Sequence, residues 1–181
     1  MKLYKFLLFT ILVVIAFPSC KTLSSYPIEY YQIKAEGSPP QMKVRMISDH
    51  ASIKSGQTFR LGFFFRLDDG YYTYTADTGR DNLPTELILS IPENFEIINV
   101  TWPEPKIKSG KTESDKEIVY DEDFKVIYTI RAPDQLPNQL TLGCAASWQV
   151  CKSELCTLGG ANFKLPLSIG KKKKSALYRI F

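Results

Sequence analysis

The residues of this chain whose type and spacing could support chemistry are its cysteines, of which there are four. Cys151 and Cys156 lie close together in the segment WQVCKSELC, with residues 152–155 between them. Two cysteines at such a spacing can exchange a disulfide with other thiols, form a structural disulfide, or bind a soft metal ion. The compartment of the protein and the elements that hold the pair decide among these chemistries.

The N-terminus predicts that the chain is exported. Lys2 and Lys5 come before an apolar run from Phe6 to Phe17, and this order of features is typical of a signal peptide. The run is too short to span a bilayer comfortably as a permanent helix. Cysteines outside the cytoplasm can be held oxidised, so export favours a disulfide over a metal site at the close pair.

Cys20 directly follows the signal, after Phe17-Pro18-Ser19. This segment resembles the lipobox of bacterial lipoproteins, although Phe and Pro replace the usual Leu and small residue. We therefore predict a lipoprotein-type signal peptide at residues 1–19 and lipidation of Cys20, which would anchor the protein to a bacterial membrane, facing the periplasm or the cell exterior. The alternative is ordinary signal cleavage nearby, which would leave Cys20 as a flexible thiol.

The rest of the chain predicts an all-β domain. Apolar residues alternate along Phe59–Leu67, Leu87–Ile91 and Phe124–Ile130, and Gly, Pro, Asn and Asp clusters separate these runs. No convincing amphipathic helix follows the signal. We predict an immunoglobulin-like antiparallel β-sandwich at residues 41–170, after a tether at 20–40 and before a basic tail at 171–181.

The net charge of +4 is concentrated in that tail, at Lys171–Lys174. The ordinary interpretation is a solvated segment, and contact with anionic lipid headgroups is the alternative. Basic and aromatic residues do not alternate anywhere in a way that would predict nucleic-acid binding.

The strand period also predicts where the cysteines point. If residues 143–151 form one strand, Cys144 lies on an apolar face with Trp148, whereas Cys151 lies on the opposite, more polar face and points outward. Residues 152–155 would then form a four-residue hairpin loop. Cys156 would lie opposite Cys151, at about 5.5 Å between their Cα atoms, which a disulfide accepts.

A bridge across so short a loop is an inefficient staple, because it removes only about 2 kcal/mol of unfolded-chain entropy, against nearly 5 for a loop of about 100 residues. An outward-facing pair beside Lys152 is better suited to exchange. Two other classes stay open: a non-enzymatic immunoglobulin-like lipoprotein with a structural disulfide, and an exported copper- or zinc-binding protein. A metal site would need all three remaining cysteines, or two of them with His50, and no spacing demands it.

Several segments, in this order, resemble the N-terminal periplasmic domain of the thiol:disulfide interchange protein DsbD family over most of residues 42–169. The matching segments are residues 56–58 (GQT), 69–74 (DGYYTY), 79–87 (GRDNLPTEL), 102–105 (WPEP) and 148–156 (WQVCKSELC).

The resemblance implies a thiol–disulfide oxidoreductase-like relay domain that works without a cofactor or a bound metal. Its partners would be a membrane thiol reductase, as the donor, and exported disulfide or thioredoxin-like proteins, as acceptors. Cys151 and Cys156 match the redox pair of the family, and Cys156 would form the mixed disulfide that Cys151 resolves. Because the sequence stops where DsbD continues into membrane helices and a thioredoxin-like domain, we expect the partners to act in trans.

The resemblance also implies an active-site surround. Tyr72 and Tyr74 match aromatic positions beside the pair, although ordinary cross-strand packing would also explain them. A cap loop is expected at residues 102–111, with Trp102 and Glu104 on it, although its prolines also suit a rigid strand exit. Trp148 completes the surround. The sequence departs from the family in the spacing of the pair, in Thr157 where many relatives have Pro, and in the additional Cys144.

Overall fold

The computed structural model of the protein describes residues 29–32, 41–76, 82–109, 116–153 and 155–181. The predicted signal peptide and Cys20 lie outside these ranges, and no helix within them is long and apolar enough to cross a bilayer. The strands are β1 (Glu29–Gln32), β2 (Met42–Ser48), β3 (His50–Ile53), β4 (Thr58–Leu67), β5 (Tyr72–Tyr74), β6 (Glu86–Ser90), β7 (Glu96–Thr101), β8 (Lys106–Lys108), β9 (Glu117–Tyr120), β10 (Phe124–Arg131), β11 (Leu140–Lys152), β12 (Leu155–Ile169) and β13 (Lys173–Lys174), and a short 3-10 helix covers Tyr178–Ile180.

The strands form two sheets. The larger sheet has the order β13-β3-β12-β11-β5-β9-β8, with β1 added beside β12 and β6 beside β11, and the smaller has the order β2-β4-β10-β7. Pairing is antiparallel except between β12 and β3. The predicted all-β, immunoglobulin-like antiparallel sandwich is confirmed. Strand β1 lies within the segment predicted as a tether and pairs with β12.

The core forms where the apolar faces of the two sheets meet. The alternation in β4 turns Phe63 inward, where its ring meets Tyr128 of the neighbouring strand at 5.8 Å and Phe163 of the opposite sheet at 5.9 Å, both edge to face. Aromatic pairs of this geometry contribute about 0.5–1.5 kcal/mol beyond the area that they bury. The contact between Phe63 and Phe163 joins the smaller sheet to β12 of the larger one.

The hairpin of β11 and β12 is the longest paired unit within the described ranges, and it runs in unbroken register from Leu140 opposite Leu167 to Lys152 opposite Leu155. Trp148 lies opposite Gly159, and a Cβ atom at Gly159 would overlap the indole of Trp148. Glycine at this position therefore lets the tryptophan lie across its neighbouring strand. The hairpin carries the cysteine pair at its tip, so this register positions the candidate site.

The basic C-terminal segment packs against the sandwich. Lys171–Lys174 are exposed, as in a solvated segment, but Lys173 and Lys174 form β13 beside β3. The ring of Phe181 meets Phe64 at 5.6 Å, and the guanidinium of Arg60 lies 5.1 Å from the Phe181 ring centroid. The residues predicted as a tail thus cover part of the outer face of the smaller sheet.

We predict that Gly159→Ala destabilises the domain by about 1–3 kcal/mol, because the added methyl group displaces the indole of Trp148 from a packed core. Chemical denaturation of the oxidised protein measures the loss. Gly143→Ala is the matched control on β11, since a Cβ atom there would meet the nearest atom, Ser90 Cβ, at 3.2 Å and should cost less. Equal losses in the two variants would contradict this account of Gly159.

Candidate functional site

Cys151 and Cys156 form a disulfide at the tip of the long hairpin, with their Cα atoms 4.1 Å apart. The prediction that the two cysteines lie opposite each other is confirmed, but the predicted four-residue loop is wrong. Lys152 pairs with Leu155, so only residues 153 and 154 are left between the paired positions, and Ser153 has the positive φ of 56° that tight hairpin turns require. Cys151 and Cys156 form the next pair away from this turn, which in a two-residue hairpin is a non-hydrogen-bonded pair. The Cα atoms of such a pair lie about 4.5 Å apart, closer than those of a hydrogen-bonded pair.

The two sulfur-bearing side chains differ in exposure. Cys151 is 0% exposed, whereas Cys156 is exposed at the surface. Cys151 does lie on the opposite face of β11 from Trp148, as predicted, but the prediction that it points into solvent is wrong. Strand β5 pairs beside it, with Tyr72 opposite Cys151, and brings aromatic side chains over that face of the sheet.

Tyr72 and Tyr74 form, with Val119 and Cys151, a small apolar cluster apart from the main core. The two rings meet edge to face at 5.7 Å. The Tyr72 hydroxyl donates to the carbonyl of Ser153 at 3.4 Å, and the Tyr74 hydroxyl donates to Glu117 Oε1 at 3.2 Å. Burial, with contributions from the Tyr72 hydroxyl and Glu117, raises the pKa of Tyr74 well above its ordinary value, so this hydroxyl stays protonated.

Strand β8 places a lysine side chain over the ring of Tyr72. Lys106–Lys108 pair with β9 at the edge of the larger sheet, and Lys108 Nζ lies 3.3 Å from the centroid of the Tyr72 ring. This cation–π contact is made by the segment predicted as a cap loop, of which residues 102–109 are described. Tyr72 is therefore held between Lys108 on one side and the hairpin tip on the other.

The remaining predicted surround lies elsewhere in the described structure. Trp102 stacks on Tyr120, with their ring centroids 6.3 Å apart, and packs against the main core, whereas Glu104 is exposed. Trp148 is 5% exposed within the main core, on the face of β11 opposite to Cys151. Of the predicted surround, the structure brings Tyr72 and Tyr74 to Cys151.

Gln149 contacts the pair and was not among the predicted site residues. Its Nε2 lies 3.5 Å from Cys151 Sγ, and its Oε1 accepts a hydrogen bond from the backbone N–H of Leu83 at 2.9 Å. The sequence carries one signal for it: residues two apart on a strand share a face, so Gln149 must lie beside Cys151 if β11 is regular.

Lys152 supports the hairpin tip rather than the sulfur atoms. Because successive residues of a strand point to opposite faces, its side chain leaves the face that carries Cys151. Its ammonium group donates to the carbonyl of Asp69 at 3.0 Å and lies 5.0 Å from the Tyr71 ring centroid. The sequence predicts a pair suited to exchange beside Lys152, but in the structure the Lys152 ammonium group contacts the turn before β5.

The third cysteine and the histidine are held apart from the pair. Cys144 is 4% exposed in the core, and burial raises the pKa of its thiol to about 12, so it stays protonated. His50 Nδ1 lies 2.7 Å from Asp49 Oδ1, and Asp49 also accepts from the backbone and the guanidinium of Arg60. Within the described ranges no three His, Cys, Asp or Glu side chains are grouped to hold a metal ion.

These features define a class: a β-sandwich domain with one cross-strand disulfide at a hairpin tip, where one sulfur is exposed and the other is buried under tyrosines. The sequence matches the family described as "Thiol:disulfide interchange protein DsbD, N-terminal" over residues 43–168. The chain belongs to this family, as the resemblance of its segments implied.

Solved structures with a similar fold include the N-terminal periplasmic domain of ScsB from Proteus mirabilis, at 15% identity and a TM-score of 0.51, covering 82% of this chain and 54% of that one. This chain thus spans about half the length of the ScsB domain. The Neisseria meningitidis DsbD N-terminal domain in the reduced form matches at 13% identity and a TM-score of 0.38, covering 71% and 89% of the two chains. No curated protein is significantly similar in sequence.

We predict that Tyr72→Ala uncovers Cys151. In a Cys156→Ser background, alkylation of Cys151 by iodoacetamide should become roughly tenfold faster, because access controls thiol reactivity. Peptide mapping by mass spectrometry separates Cys151 from the other cysteines. Tyr72→Phe is the matched control, since it keeps the ring and loses only the hydroxyl that donates to Ser153. If the alanine and phenylalanine variants react alike, the ring does not shield Cys151.

Proposed function

We propose that this protein is an exported relay for thiol–disulfide exchange, which passes reducing equivalents through Cys151 and Cys156 from a membrane thiol reductase to exported disulfide or thioredoxin-like proteins. Membership of the DsbD N-terminal family supports exchange chemistry and an exported location. The partners act in trans, and lipidation of Cys20 tethers the domain to the membrane. The observation that carries the proposal is the unequal exposure of the two cysteines of one accessible disulfide.

Exposure assigns different roles to the two sulfur atoms. A thiolate of the donor attacks the exposed Cys156 Sγ, the Cys151–Cys156 bond breaks, and Cys151 leaves with the electron pair and takes up a proton. The second thiol of the donor then resolves the mixed disulfide, which leaves the donor oxidised and this domain as a dithiol. Two electrons and two protons have moved to the domain.

The onward transfer is the reverse chemistry. The Cys156 thiolate attacks the disulfide of an acceptor, and one acceptor sulfur leaves as a thiolate. Cys151, as a thiolate, then attacks Cys156 Sγ in the mixed disulfide, which reforms the internal bond and releases the second acceptor sulfur. Tyr72 and Tyr74 shield Cys151 between these steps, so a small oxidant meets only one sulfur of the pair.

A reduction potential separates this function from that of a structural disulfide. We predict a value above about −300 mV, in the range of relay proteins, because structural disulfides in exported proteins lie below that value. Equilibration of the protein with dithiothreitol buffers of graded composition, followed by alkylation and mass analysis, measures it. A potential below this limit would assign the bond to stability and would contradict the relay.

The exposure difference also predicts which single cysteine captures a partner. Reduced Cys151→Ser, with Cys156 left at the surface, should form a mixed disulfide with an oxidised thioredoxin-like protein, visible on a non-reducing gel. Reduced Cys156→Ser leaves the buried Cys151 and should capture at least about tenfold less. Both variants also carry Cys20→Ser, so that Cys20 cannot capture the partner and the two proteins differ only at Cys151 and Cys156. Equal capture by both variants would refute the assignment of Cys156 as the attacked residue.

A further inference from the structure

The proposed exchange has one physical difficulty, which lies at Cys151. The sulfur that leaves when Cys156 is attacked must carry a negative charge, and Cys151 is 0% exposed in a cluster with two tyrosine rings and Val119. Burial among such groups disfavours a thiolate, and a thiolate of high basicity is a poor leaving group. A donor directed at the sulfur is needed to offset this cost.

The tyrosine hydroxyls are committed elsewhere. Tyr72 donates to the Ser153 carbonyl and Tyr74 donates to Glu117, so neither hydroxyl is directed at Cys151 Sγ. Lys152, the neighbouring cation, donates to Asp69. In the described part of the chain, the side-chain donor that does reach this sulfur is Gln149 Nε2, at 3.5 Å.

The orientation of the Gln149 amide is determined by its other contacts. Oε1 accepts from the backbone N–H of Leu83 at 2.9 Å, so this atom must be the carbonyl oxygen and the atom facing Cys151 must be the NH₂ group. The same NH₂ group reaches Asn82 Oδ1 at 3.3 Å, which leaves a second hydrogen for the sulfur. The donor is therefore directed at Cys151 before any reaction begins.

The main chain of Gln149 is held as well. Its carbonyl accepts a hydrogen bond from Thr73 Oγ1 at 2.8 Å, and Thr73 Oγ1 lies 2.8 Å from Thr85 Oγ1. Thr73 is 0% exposed, on the inner face of β5. Contacts from both faces of the sheet thus hold Gln149, and a preorganised donor of this kind needs little rearrangement as charge develops.

We propose that Gln149 is a catalytic residue of the exchange reaction, whose amide N–H donates a hydrogen bond to the Cys151 sulfur while the Cys151–Cys156 bond breaks and the thiolate forms. The inference rests on the proposed function and adds to it the group that receives the charge. In the onward transfer, the same bond holds the Cys151 thiolate in place for its attack on Cys156. The amide exchanges no electrons, and the proton that Cys151 takes up comes from solvent.

Two substitutions separate donation to sulfur from support of the fold. Gln149→Glu keeps an oxygen for the Leu83 N–H but removes the amide donor, and Gln149→Leu removes both groups without adding charge. Full-length oxidised proteins are reduced with dithiothreitol at pH 7, and the rate is followed by quenching and mass analysis. Both variants should be reduced roughly 10- to 100-fold more slowly than wild type, which corresponds to one charge-assisted hydrogen bond.

The control is Gln139→Glu, at an exposed glutamine just before β11, which should leave the rate unchanged. Unfolding midpoints of the oxidised variants show whether the fold is kept. A Gln149→Glu protein that is reduced at the wild-type rate would overturn the inference. If only Gln149→Leu is slowed, the role of Gln149 is to hold residues 82 and 83 in place, and the inference is also overturned. If wild type captures partners while Gln149→Glu is unimpaired, only this inference fails; if wild type captures none, the relay itself fails.

Discussion

The register of the hairpin of β11 and β12 is the constraint on which the site depends. Lys152 pairs with Leu155, and this single pairing places Cys151 opposite Cys156 at a close, non-hydrogen-bonded position. A shift of one residue in β11 would turn Cys151 into the main core and Trp148 out of it, because side chains alternate between faces. Gly159, which accommodates the indole of Trp148, favours the observed register, so core packing and the disulfide select the same hairpin.

Burial of Cys151 has two opposing effects on exchange. In the proposed relay, the tyrosine cluster keeps small oxidants from one sulfur, but the same burial removes the water that would stabilise a thiolate there. A hydrogen-bond donor on the same face can stabilise the thiolate without exposing the sulfur to solvent, and Gln149 supplies such a donor. Cys156 has no such requirement because solvent reaches it. The two cysteines of one bond thus have environments that suit two chemical roles.

The alternation of apolar and polar residues predicted the sandwich and the face of β11 on which each side chain lies, because a period of two depends only on neighbouring residues. Cys144 and Trp148 are inside, as predicted, and Cys151 is on the other face. Two features depended on information that pattern does not contain. The short loop needs a positive φ at Ser153, a residue that does not mark such turns, and the cover over Cys151 comes from β5, far away in sequence. In the sequence pattern Gln149 is an ordinary polar residue on the outward face of β11, because the pattern does not show that β5 covers this face.

The fold also limits which cysteines can react with one another. Cys144 lies on the core face of the strand that carries Cys151 on its other face, and its thiol is both buried and protonated at neutral pH. Exchange between Cys144 and the pair would require the sandwich to open, since the sheet itself separates the sulfur atoms. Opening of that kind is as costly as global unfolding for core strands. A domain that exchanges disulfides through one pair can therefore carry a third cysteine without scrambling, provided that strand parity keeps it on the opposite face.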